Sequence, residues 1–521
     1  MGKKGINKEK YTYEAVRVSD IVKYIYIGFI FSVYLVAMND RYFDITKTRY
    51  TTFVLGTLLF FLIYACVAFV ECYINENIKY DFQHVIEKKE FLKHPASWMI
   101  IFWLSHIVSF ALTYDKKSAF TGVNGRYMGF FTFTVICIMF FTLCFRVKTN
   151  EWLYMLFLVV TLFSYIVSIF QHMGNDFMHY RDEISKKDFH IFMSTFGNIN
   201  IFASFIVISL AVAFAMFVFT GRIVYRGLAG VVIALGGMVT MIANSDSAYI
   251  GLTAIVVILI VFAIQNGRVF YMMCGLSLFA AGNACIAAIN KYVVIKYDKR
   301  GGVAQLLDNI YLAFALLVAA AVITVVVYFV EAKLKEIYRK KASYIFLIAV
   351  AVLMVGIIVV GSRLHLSIFE FNYKWGTYRG YIWTKCAELY ADAPFINKLF
   401  GYGQETLRYL TTLNFHDEML DVTGKVYENA HNELLQYLLT VGAYGAIAYI
   451  MLVVSSFIYI LKSSNKNVIS YISLAVIAGY FMQGIVNLCQ PLTTPLFYVF
   501  MAIGVGNAGF CRKVKSSDNQ R

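Results

Sequence analysis

The sequence lacks several features that soluble proteins of its size usually have. It contains no internal repeat, no low-complexity segment and no flexible linker, and only four of its 521 residues are proline. A soluble chain of this length usually divides into several water-facing domains. Here, however, 60% of the residues are hydrophobic and the mean hydropathy is +0.65. A soluble multidomain protein is therefore excluded.

The sequence also lacks the patterns of cysteine-based sites and of nucleic-acid-binding surfaces. The nine cysteines are odd in number and scattered, without CxxC spacing, which argues against a disulfide framework and against a cysteine metal cluster. The net charge is +15, but no basic stretch is interleaved with aromatic residues on a soluble surface. We therefore expect no nucleic-acid partner.

Long apolar runs dominate the chain. Runs of about 17–25 residues, the length that crosses a bilayer, recur throughout, and they are too long and continuous for barrel strands. We therefore predict an all-α polytopic membrane protein. Two short runs, 228–243 and 249–264, could instead form one tight hairpin, so the predicted count is about 13–14 transmembrane helices. The predicted spans are residues 23–39, 51–72, 97–113, 127–145, 152–170, 201–220, 228–243, 249–264, 269–290, 309–330, 343–361, 434–461, 468–488 and 493–510.

The distribution of Lys and Arg predicts the orientation. With the N-terminus inside, the cytoplasmic pieces hold more of these residues than the external pieces do. The first twenty residues are polar and charged, so we expect no cleavable signal peptide. The predicted organisation is a cytoplasmic tail (1–22), eleven helices (23–361), a large external loop (362–433), three helices (434–510) and a cytoplasmic tail (511–521).

The external loop of about seventy residues is the predicted place for chemistry, because loops of that length without a role are uncommon. Within it, "TYRGYIWTKCAELYADAP" predicts a surface helix that ends before Pro394. Its apolar stripe consists of Ile382, Cys386, Leu389 and Tyr390. "FGYGQETLRYL" then predicts a glycine turn and another short helix.

A histidine stands where this loop enters the next span, in "YENAHNELLQYLLTVGAYGA". With Asn429 as N-cap, the helix is predicted to begin just before His431. One helical stripe then contains His431, Leu435, Leu438, Gly442 and Gly445. Small residues on such a stripe admit a close neighbouring helix, so this face points inward. A histidine at a helix N-terminus is favoured as neutral imidazole, which can accept a proton beside a site for an anion.

This stretch resembles the signature of the O-antigen ligase and O-antigen polymerase superfamily. In that family, a histidine followed by a small amide or hydroxyl residue precedes GxxG by nine positions, as His431-Asn432 precedes Gly442-Ala443-Tyr444-Gly445. Three other segments are similar to the family's motifs: "RGYIW...AP...LFGYG" in the external loop, "STFGNINIFASF" (194–205) and "FTGVNGRYMGFF" (120–131). The resemblance covers roughly residues 100–510. One departure is that Ser245 is followed by Asp246, where many members carry a Ser-Arg pair.

The resemblance implies a C-type glycosyltransferase fold and a reaction in cell-surface polysaccharide biosynthesis. A glycan on a polyprenyl pyrophosphate is transferred to a hydroxyl of a glycan or lipid-glycan acceptor, at the outer face of the bacterial cytoplasmic membrane. His431 would orient or deprotonate that hydroxyl, and Arg379 would bind the departing pyrophosphate. Neither a metal nor another cofactor is expected if arginines neutralise the phosphates. Further pyrophosphate-binding candidates are Arg126 and Arg408, and the supporting positions are Asn432, Trp383, Gly442 and Gly445.

Simpler interpretations exist for the same residues. His431 could merely cap a helix, Arg379 and Arg126 could be solvated loop residues, and Trp383 could anchor the membrane interface. A metal site is a further alternative in residues 172–190. If that segment were helical, one face would contain His172, Asp176, His179 and Glu183, and Asp182 and His190 lie nearby.

Two other function classes compete with a glycan transferase of this family. A polysaccharide flippase or other transporter would also have many helices, but it would more often show internal repeats and charges within its spans. A peptidoglycan polymerase of the shape, elongation, division and sporulation class also uses lipid pyrophosphate donors. It depends, however, on an external acidic residue rather than on His-Asn-x9-GxxG. The motif favours the ligase or polymerase, and the choice between those two stays open.

Overall fold

The structure is a computed structural model that describes residues 17–74, 91–123, 125–293, 301–366, 369–463 and 466–518, with the backbone alone for residues 92 and 510–518. These residues form helices and connecting loops, with no strand among them. The α-helices are α1 (Val18–Phe31), α2 (Val33–Val36), α3 (Ile45–Ile74), α4 (Pro95–Leu112), α5 (Lys116–Thr121), α6 (Phe130–Cys144), α7 (Glu151–His172), α8 (Ile199–Phe219), α9 (Ile223–Ala243), α10 (Asp246–Asn266), α11 (Val269–Tyr292), α12 (Gly302–Leu307), α13 (Ile310–Glu331), α14 (Glu336–Arg363), α15 (Trp375–Ala391), α16 (Phe395–Phe400), α17 (Leu407–Thr423), α18 (Glu433–Thr440), α19 (Gly442–Leu461), α20 (Val468–Gly484) and α21 (Thr494–Asp518).

The predicted all-α polytopic membrane fold is confirmed. Within the described residues, eleven helical segments are long and apolar enough to cross a membrane, counting α1 and α2 as one. Three shorter apolar helices, α6, α20 and the apolar part of α21, coincide with the remaining predicted spans. The alternative of a single hairpin at 228–243 and 249–264 is wrong. Helices α9 and α10 each have 21 residues because α9 begins five residues earlier and α10 extends beyond both predicted ends.

Helix α8 lies at the centre of the bundle. All of its most apolar stretch is buried, and it packs against α9, α10 and α20. Helices α13 and α14 are the opposite case, because only 11% and 6% of their apolar stretches are buried. Apolar helices with so little protein cover are stable only where lipid covers them. We therefore place α13 and α14 on the lipid-facing side of the bundle.

Glycines allow α9 and α11 to cross at close range. A Cβ on Gly237 of α9 would overlap the carbonyl oxygen of Phe279 on α11. In the reverse direction, a Cβ on Gly282 of α11 would overlap the carbonyl oxygen of Ala234. Backbones can approach this closely only where side chains are absent, which is the usual role of small residues between membrane helices.

The loop at 362–433, which we predict to be external and continue to call the external loop, has a small hydrophobic core of its own. The predicted surface helix is confirmed as α15, and Ile382, Cys386 and Leu389 of its stripe are buried against α17. Tyr390 is half-buried and donates its hydroxyl hydrogen to the carbonyl of Lys398. The loop is therefore a folded unit, able to hold side chains in place next to the helix bundle.

Candidate functional site

His431 lies in a loop that hydrogen bonds hold on both sides. The backbone N–H of His431 donates to Asn429 Oδ1 at 2.9 Å, and that of Ala430 donates to Gln436 Oε1 at 3.0 Å. The indole N–H of Trp383, on α15, donates to the carbonyl of Ala430 at 2.9 Å. Trp383, a predicted supporting residue, therefore positions the chain immediately before the histidine.

The predicted start of the helix at His431 is wrong. His431 has a φ of +47°, a left-handed conformation that costs a non-glycine residue about 1–2 kcal/mol. The N-cap is Asn432, whose Oδ1 accepts from the N–H of Leu435 at 3.1 Å, and the helix begins at Glu433. Asn429 instead forms a turn with His431. Strained backbone of this kind is concentrated at functional sites, and here it separates the imidazole from the helix surface.

The predicted continuous helix 434–461 is interrupted after one short segment. Helix α18 ends at Thr440, and α19 begins at Gly442, which has a φ of +73°. The external loop covers the break. The backbone N–H groups of Tyr402 and Gly403 donate to the carbonyls of Leu439 and Thr440 at 2.9 and 3.0 Å. These bonds satisfy carbonyls that the interruption leaves without helical partners.

The two motif glycines have separate roles at this break. A Cβ on Gly442 would overlap the carbonyl oxygen of Leu399 in α16, whereas a Cβ on Gly445 would lie 2.7 Å from the Oγ of Ser105 in α4. The prediction that these glycines admit close neighbours is confirmed. The shared stripe with His431 is wrong, because the turn at Gly442 changes the direction of the chain.

Replacing Gly442 with alanine is expected to lower the melting temperature of the purified protein, at a cost of about 2–5 kcal/mol from overpacking and the left-handed backbone together. Gly424 is the matched control. It has a φ of +71°, but a Cβ there would have no neighbour within 4 Å, so Gly424→Ala tests the backbone term alone. Equal melting temperatures for the two variants would show that the contact with Leu399 does not matter.

Arg379 follows a strained turn at the start of α15. Gly376, Thr377 and Tyr378 all have positive φ, at 57°, 59° and 68°. The hydroxyl of Tyr427 donates to the carbonyl of Thr377 at 3.0 Å and supports this turn. Arg379 Nη1 donates back to the carbonyl of Gly376 at 3.0 Å, whereas its buried Nε has no hydrogen-bond partner among the described residues. The guanidinium therefore keeps donors available for a ligand.

The other two candidate arginines have acidic partners. Arg126 is buried and lies 2.9 Å from Glu405, measured from Nε to Oε2. Its Nη1 and Nη2 form no hydrogen bond within the part of the chain that the structure describes. Arg408 is 53% exposed and lies 2.7 Å from Glu428. Of the two, Arg126 is the better candidate for binding a buried phosphate, because the side chain of Arg408 is exposed.

The charges of two candidate arginines, Arg379 and Arg126, act on His431. Burial and nearby positive charges together lower the pKa of His431 from 6.5 to about 3, and burial has the largest effect. The positive charges belong to Arg379, Arg126 and Lys425. The imidazole is therefore neutral at physiological pH. Its Nδ1 is buried without a hydrogen-bond partner among the described residues, and the ring of Tyr427 packs edge-on against it at 6.0 Å.

Comparison with known protein families identifies this region. Residues 309–450 match the family model described as O-antigen ligase. The predicted resemblance to the O-antigen ligase and polymerase superfamily is confirmed. The O-antigen ligase match contains the external loop with Arg379 and Arg408 and the motif from His431 to Gly445, while Arg126 lies outside it. No curated protein matches the chain.

An acidic residue in the O-antigen ligase segment was missed in the sequence. Glu433 is buried, and its carboxylate accepts from the hydroxyls of Tyr449 and Tyr480 at 2.8 and 3.0 Å. The hydroxyl of Tyr480 also contacts Thr494 Oγ1 at 2.8 Å. The carboxylate thus connects α18 to α19, α20 and α21. The sequence did contain an indication of this role, because Glu433 is an ionisable residue at the start of an apolar run, and such residues are candidate functional groups.

Glu433 is expected to make stability depend on pH. Burial raises the pKa of its carboxyl from 4.5 to about 7, so the folded state holds a proton that the unfolded state releases. Stability should fall as pH rises from about 4.5 to about 7, by up to about 3 kcal/mol. Glu433→Gln should remove this decline in melting temperature. Glu336→Gln, at an exposed position, is the control, and an unchanged decline in Glu433→Gln would contradict the assignment.

The alternative metal site in residues 172–190 lacks the helix that it requires. Helix α7 ends at His172, and the following residues form turns, in which His179 has a φ of +56°. His172 contacts Asn290 at 2.8 Å, and His179 contacts Asp182 at 3.3 Å. Glu183 pairs with Arg41 at 3.2 Å. Among the described residues, no three His, Cys, Asp or Glu side chains are grouped as metal ligands would be.

Proposed function

We propose that this protein is a membrane glycosyltransferase of the O-antigen ligase or polymerase type. It transfers a glycan from a polyprenyl-pyrophosphate donor to a hydroxyl of a glycan or lipid-glycan acceptor, at the outer face of the bacterial cytoplasmic membrane. The observation that supports this most is a neutral, half-buried His431 within the electrostatic range of Arg379 and Arg126. A base beside two cations suits a reaction that removes a proton and releases a pyrophosphate.

In the proposed reaction, the acceptor oxygen attacks the anomeric carbon of the donor sugar. The bond between that carbon and the phosphate oxygen breaks, and polyprenyl pyrophosphate leaves with the electron pair. His431 accepts the hydroxyl proton through its unpartnered Nδ1. Arg379 stabilises the negative charge on the leaving group, since its planar guanidinium can bind two phosphate oxygens at once. Asn432 holds the start of α18, and Trp383 positions the loop.

The donor also activates the base in this mechanism. Burial and the nearby cations lower the pKa of His431 to about 3, which makes it a weak base. The negative charges of a bound pyrophosphate offset those of Arg379 and Arg126, so donor binding raises the pKa. Proton removal from the acceptor therefore becomes effective only after the donor is bound.

The remaining features of the proposal follow from the chemistry and the charges. Arginines provide the positive charge that the pyrophosphate needs, so we propose a reaction without a metal or another cofactor. The overall architecture is proposed to be of the C-type glycosyltransferase kind, with both termini cytoplasmic and the loop at 362–433 external. The excess of Lys and Arg in the cytoplasmic pieces supports this orientation.

The test is a transfer assay with the full-length protein in lipid nanodiscs. A labelled glycan on polyprenyl pyrophosphate is incubated with acceptor glycans from the host envelope, with and without EDTA. We expect a labelled product in both conditions, as a single addition for a ligase and as a ladder for a polymerase. In a parallel assay in liposomes, movement of donor across the bilayer without a product would contradict the proposal and support a flippase. Loss of the product with EDTA would contradict its metal independence.

A further inference from the structure

A cavity of about 400 Å³ lies beside Arg379. Its described walls come from segments far apart in the sequence: the first turn of α10, Gly302 at the start of α12, the start of the external loop, and Val486 after α20. Three charged side chains line it, namely Lys374, Arg379 and Asp246. A cavity of this size with charges of both signs can hold a small polar group rather than a lipid chain alone.

Asp246 is the residue at which the sequence departs from the Ser-Arg pair of similar proteins. It lines the cavity, and its negative charge acts on Arg379 across it. One carboxylate oxygen, Oδ1, accepts from the N–H of Val303 at 2.9 Å. The other oxygen, Oδ2, has no hydrogen bond from the described residues, so it remains able to accept one from a ligand.

The charged residues that line the cavity favour different ligand groups. Lys374 and Arg379 attract the negatively charged oxygens of a phosphate. The carboxylate of Asp246 repels phosphate oxygens and attracts hydroxyl or ammonium groups. Trp375 lines the same cavity, and its ring packs on that of Trp383 at 5.2 Å. An aromatic surface beside a carboxylate suits the C–H face and the hydrogen-bond donors of a sugar ring. Phosphate and sugar would then occupy different sides of one pocket.

We propose that Asp246 recognises the first sugar of the donor, through a hydrogen-bond-donating substituent that is a hydroxyl or an ammonium group. This inference rests on the proposed function for the identity of the ligand as a glycosyl pyrophosphate. Lys374 and Arg379 bind the pyrophosphate, and the free Oδ2 of Asp246 accepts from the sugar. Asp246 is thus a specificity-determining residue, which selects the donor sugar without taking part in bond breaking.

Asp246 also has a structural role, because it holds the N-terminus of α12 through Val303. Asp246→Asn separates the two roles. The amide oxygen of asparagine still accepts from Val303, whereas the negative charge is lost and the amide nitrogen donates instead of accepting. Asp421→Asn is the matched control, since Asp421 is an exposed aspartate on α17 of the same external loop.

The experiment measures equilibrium binding to the full-length protein in nanodiscs. Three labelled probes are used: polyprenyl pyrophosphate, its N-acetylglucosamine derivative and its glucosamine derivative. The wild-type protein should bind at least one glycosyl probe about tenfold more tightly than the bare probe, which corresponds to about 1.4 kcal/mol. Asp246→Asn should lose that preference and should bind the bare probe as tightly as the wild-type protein or more tightly.

The outcomes separate this inference from the proposed function. Preference for both glycosyl probes, lost together in Asp246→Asn, supports recognition of a hydroxyl; preference for glucosamine alone supports recognition of an ammonium group. Equal weakening of all three probes, or a preference that survives in Asp246→Asn, would overturn the inference. If the bare probe binds equally well to wild type and Arg379→Ala, the role of Arg379 in donor binding is wrong. If none of the three probes binds the wild-type protein, the proposed function fails instead, because the protein then has no site for such a donor.

Discussion

Replacing His431 with alanine is expected to lower the rate of glycan transfer by about 10²–10⁴-fold, the usual contribution of a general base. His431→Gln should be equally slow, because an amide fills the space but does not accept a proton at neutral pH. Donor binding should change little in either variant. The loss would therefore fall on kcat, measured by product formation at saturating donor, while the dissociation constant of the donor stays within a few-fold of the wild-type value.

His416 provides the matched control for this prediction. It is another histidine of the external loop, and its Nδ1 lies 2.9 Å from the carboxylate of the adjacent Asp417. His416→Ala should transfer glycan at the wild-type rate. Normal transfer by His431→Ala would disprove the role of His431 as base, whatever the structure of the loop.

The pH dependence tests the same role without a mutation. Burial and nearby cations lower the pKa of His431 to about 3 in the free protein, so kcat/KM for the donor should show no histidine ionisation above about pH 5. The pyrophosphate of the bound donor offsets those cations and raises the pKa, and a protonated imidazole cannot act as base. The acid limb of kcat should therefore lie at higher pH than that of kcat/KM. Identical limbs would contradict activation of the base by the donor.

Replacing Arg379 with alanine is expected to reduce transfer by about 10²–10³-fold, comparable to the loss of one preorganised donor to a developing negative charge. Arg379→Lys should recover only part of the rate. Lysine restores the positive charge, but it lacks the planar guanidinium that binds two phosphate oxygens together. Unlike the His431 variants, Arg379→Ala should also weaken binding of the donor, which a labelled donor in nanodiscs would measure.

Arg363 is the control for this prediction. Arg363, in the last turn of α14, is exposed to solvent, and Arg363→Ala should leave both transfer and donor binding unchanged. If Arg363→Ala and Arg379→Ala weaken donor binding by the same factor, the effect comes from general surface charge. The specific role of Arg379 would then be wrong.

Local features of the sequence predicted the elements of this fold well. Apart from the span 434–461, which is interrupted at Gly442, each predicted span coincides with an apolar helical segment, because the length and hydropathy of a membrane helix are properties of a single continuous segment. The stripe of α15 was predictable for a similar reason, since 3.6-residue periodicity shows which face of a helix is buried. The His431 motif was predictable from its spacing, and the O-antigen ligase match covers that motif.

The predictions failed where distant segments meet. Sequence periodicity continued the helix from His431 through Gly445, but the turn at Gly442 requires the external loop to satisfy the carbonyls of Leu439 and Thr440. Nothing near Gly442 in the sequence indicates that partner. The start of the helix was wrong for a related reason. Asn429 and Asn432 are both good N-caps, and contacts of the loop with Trp383 and Gln436 decide between them.

By itself, the sequence determined the all-helical membrane class. It also predicted a structured loop at 362–433 and the histidine and arginines that our proposal uses, because each of these depends on local pattern or motif spacing. Only the tertiary structure decided that Arg126 pairs with Glu405, that Glu433 connects four helices, and that Asp246 shares a cavity with Arg379. Such contacts join residues as many as 279 positions apart, from Arg126 to Glu405. Their geometry follows from how the helices pack, which no single segment of the chain specifies.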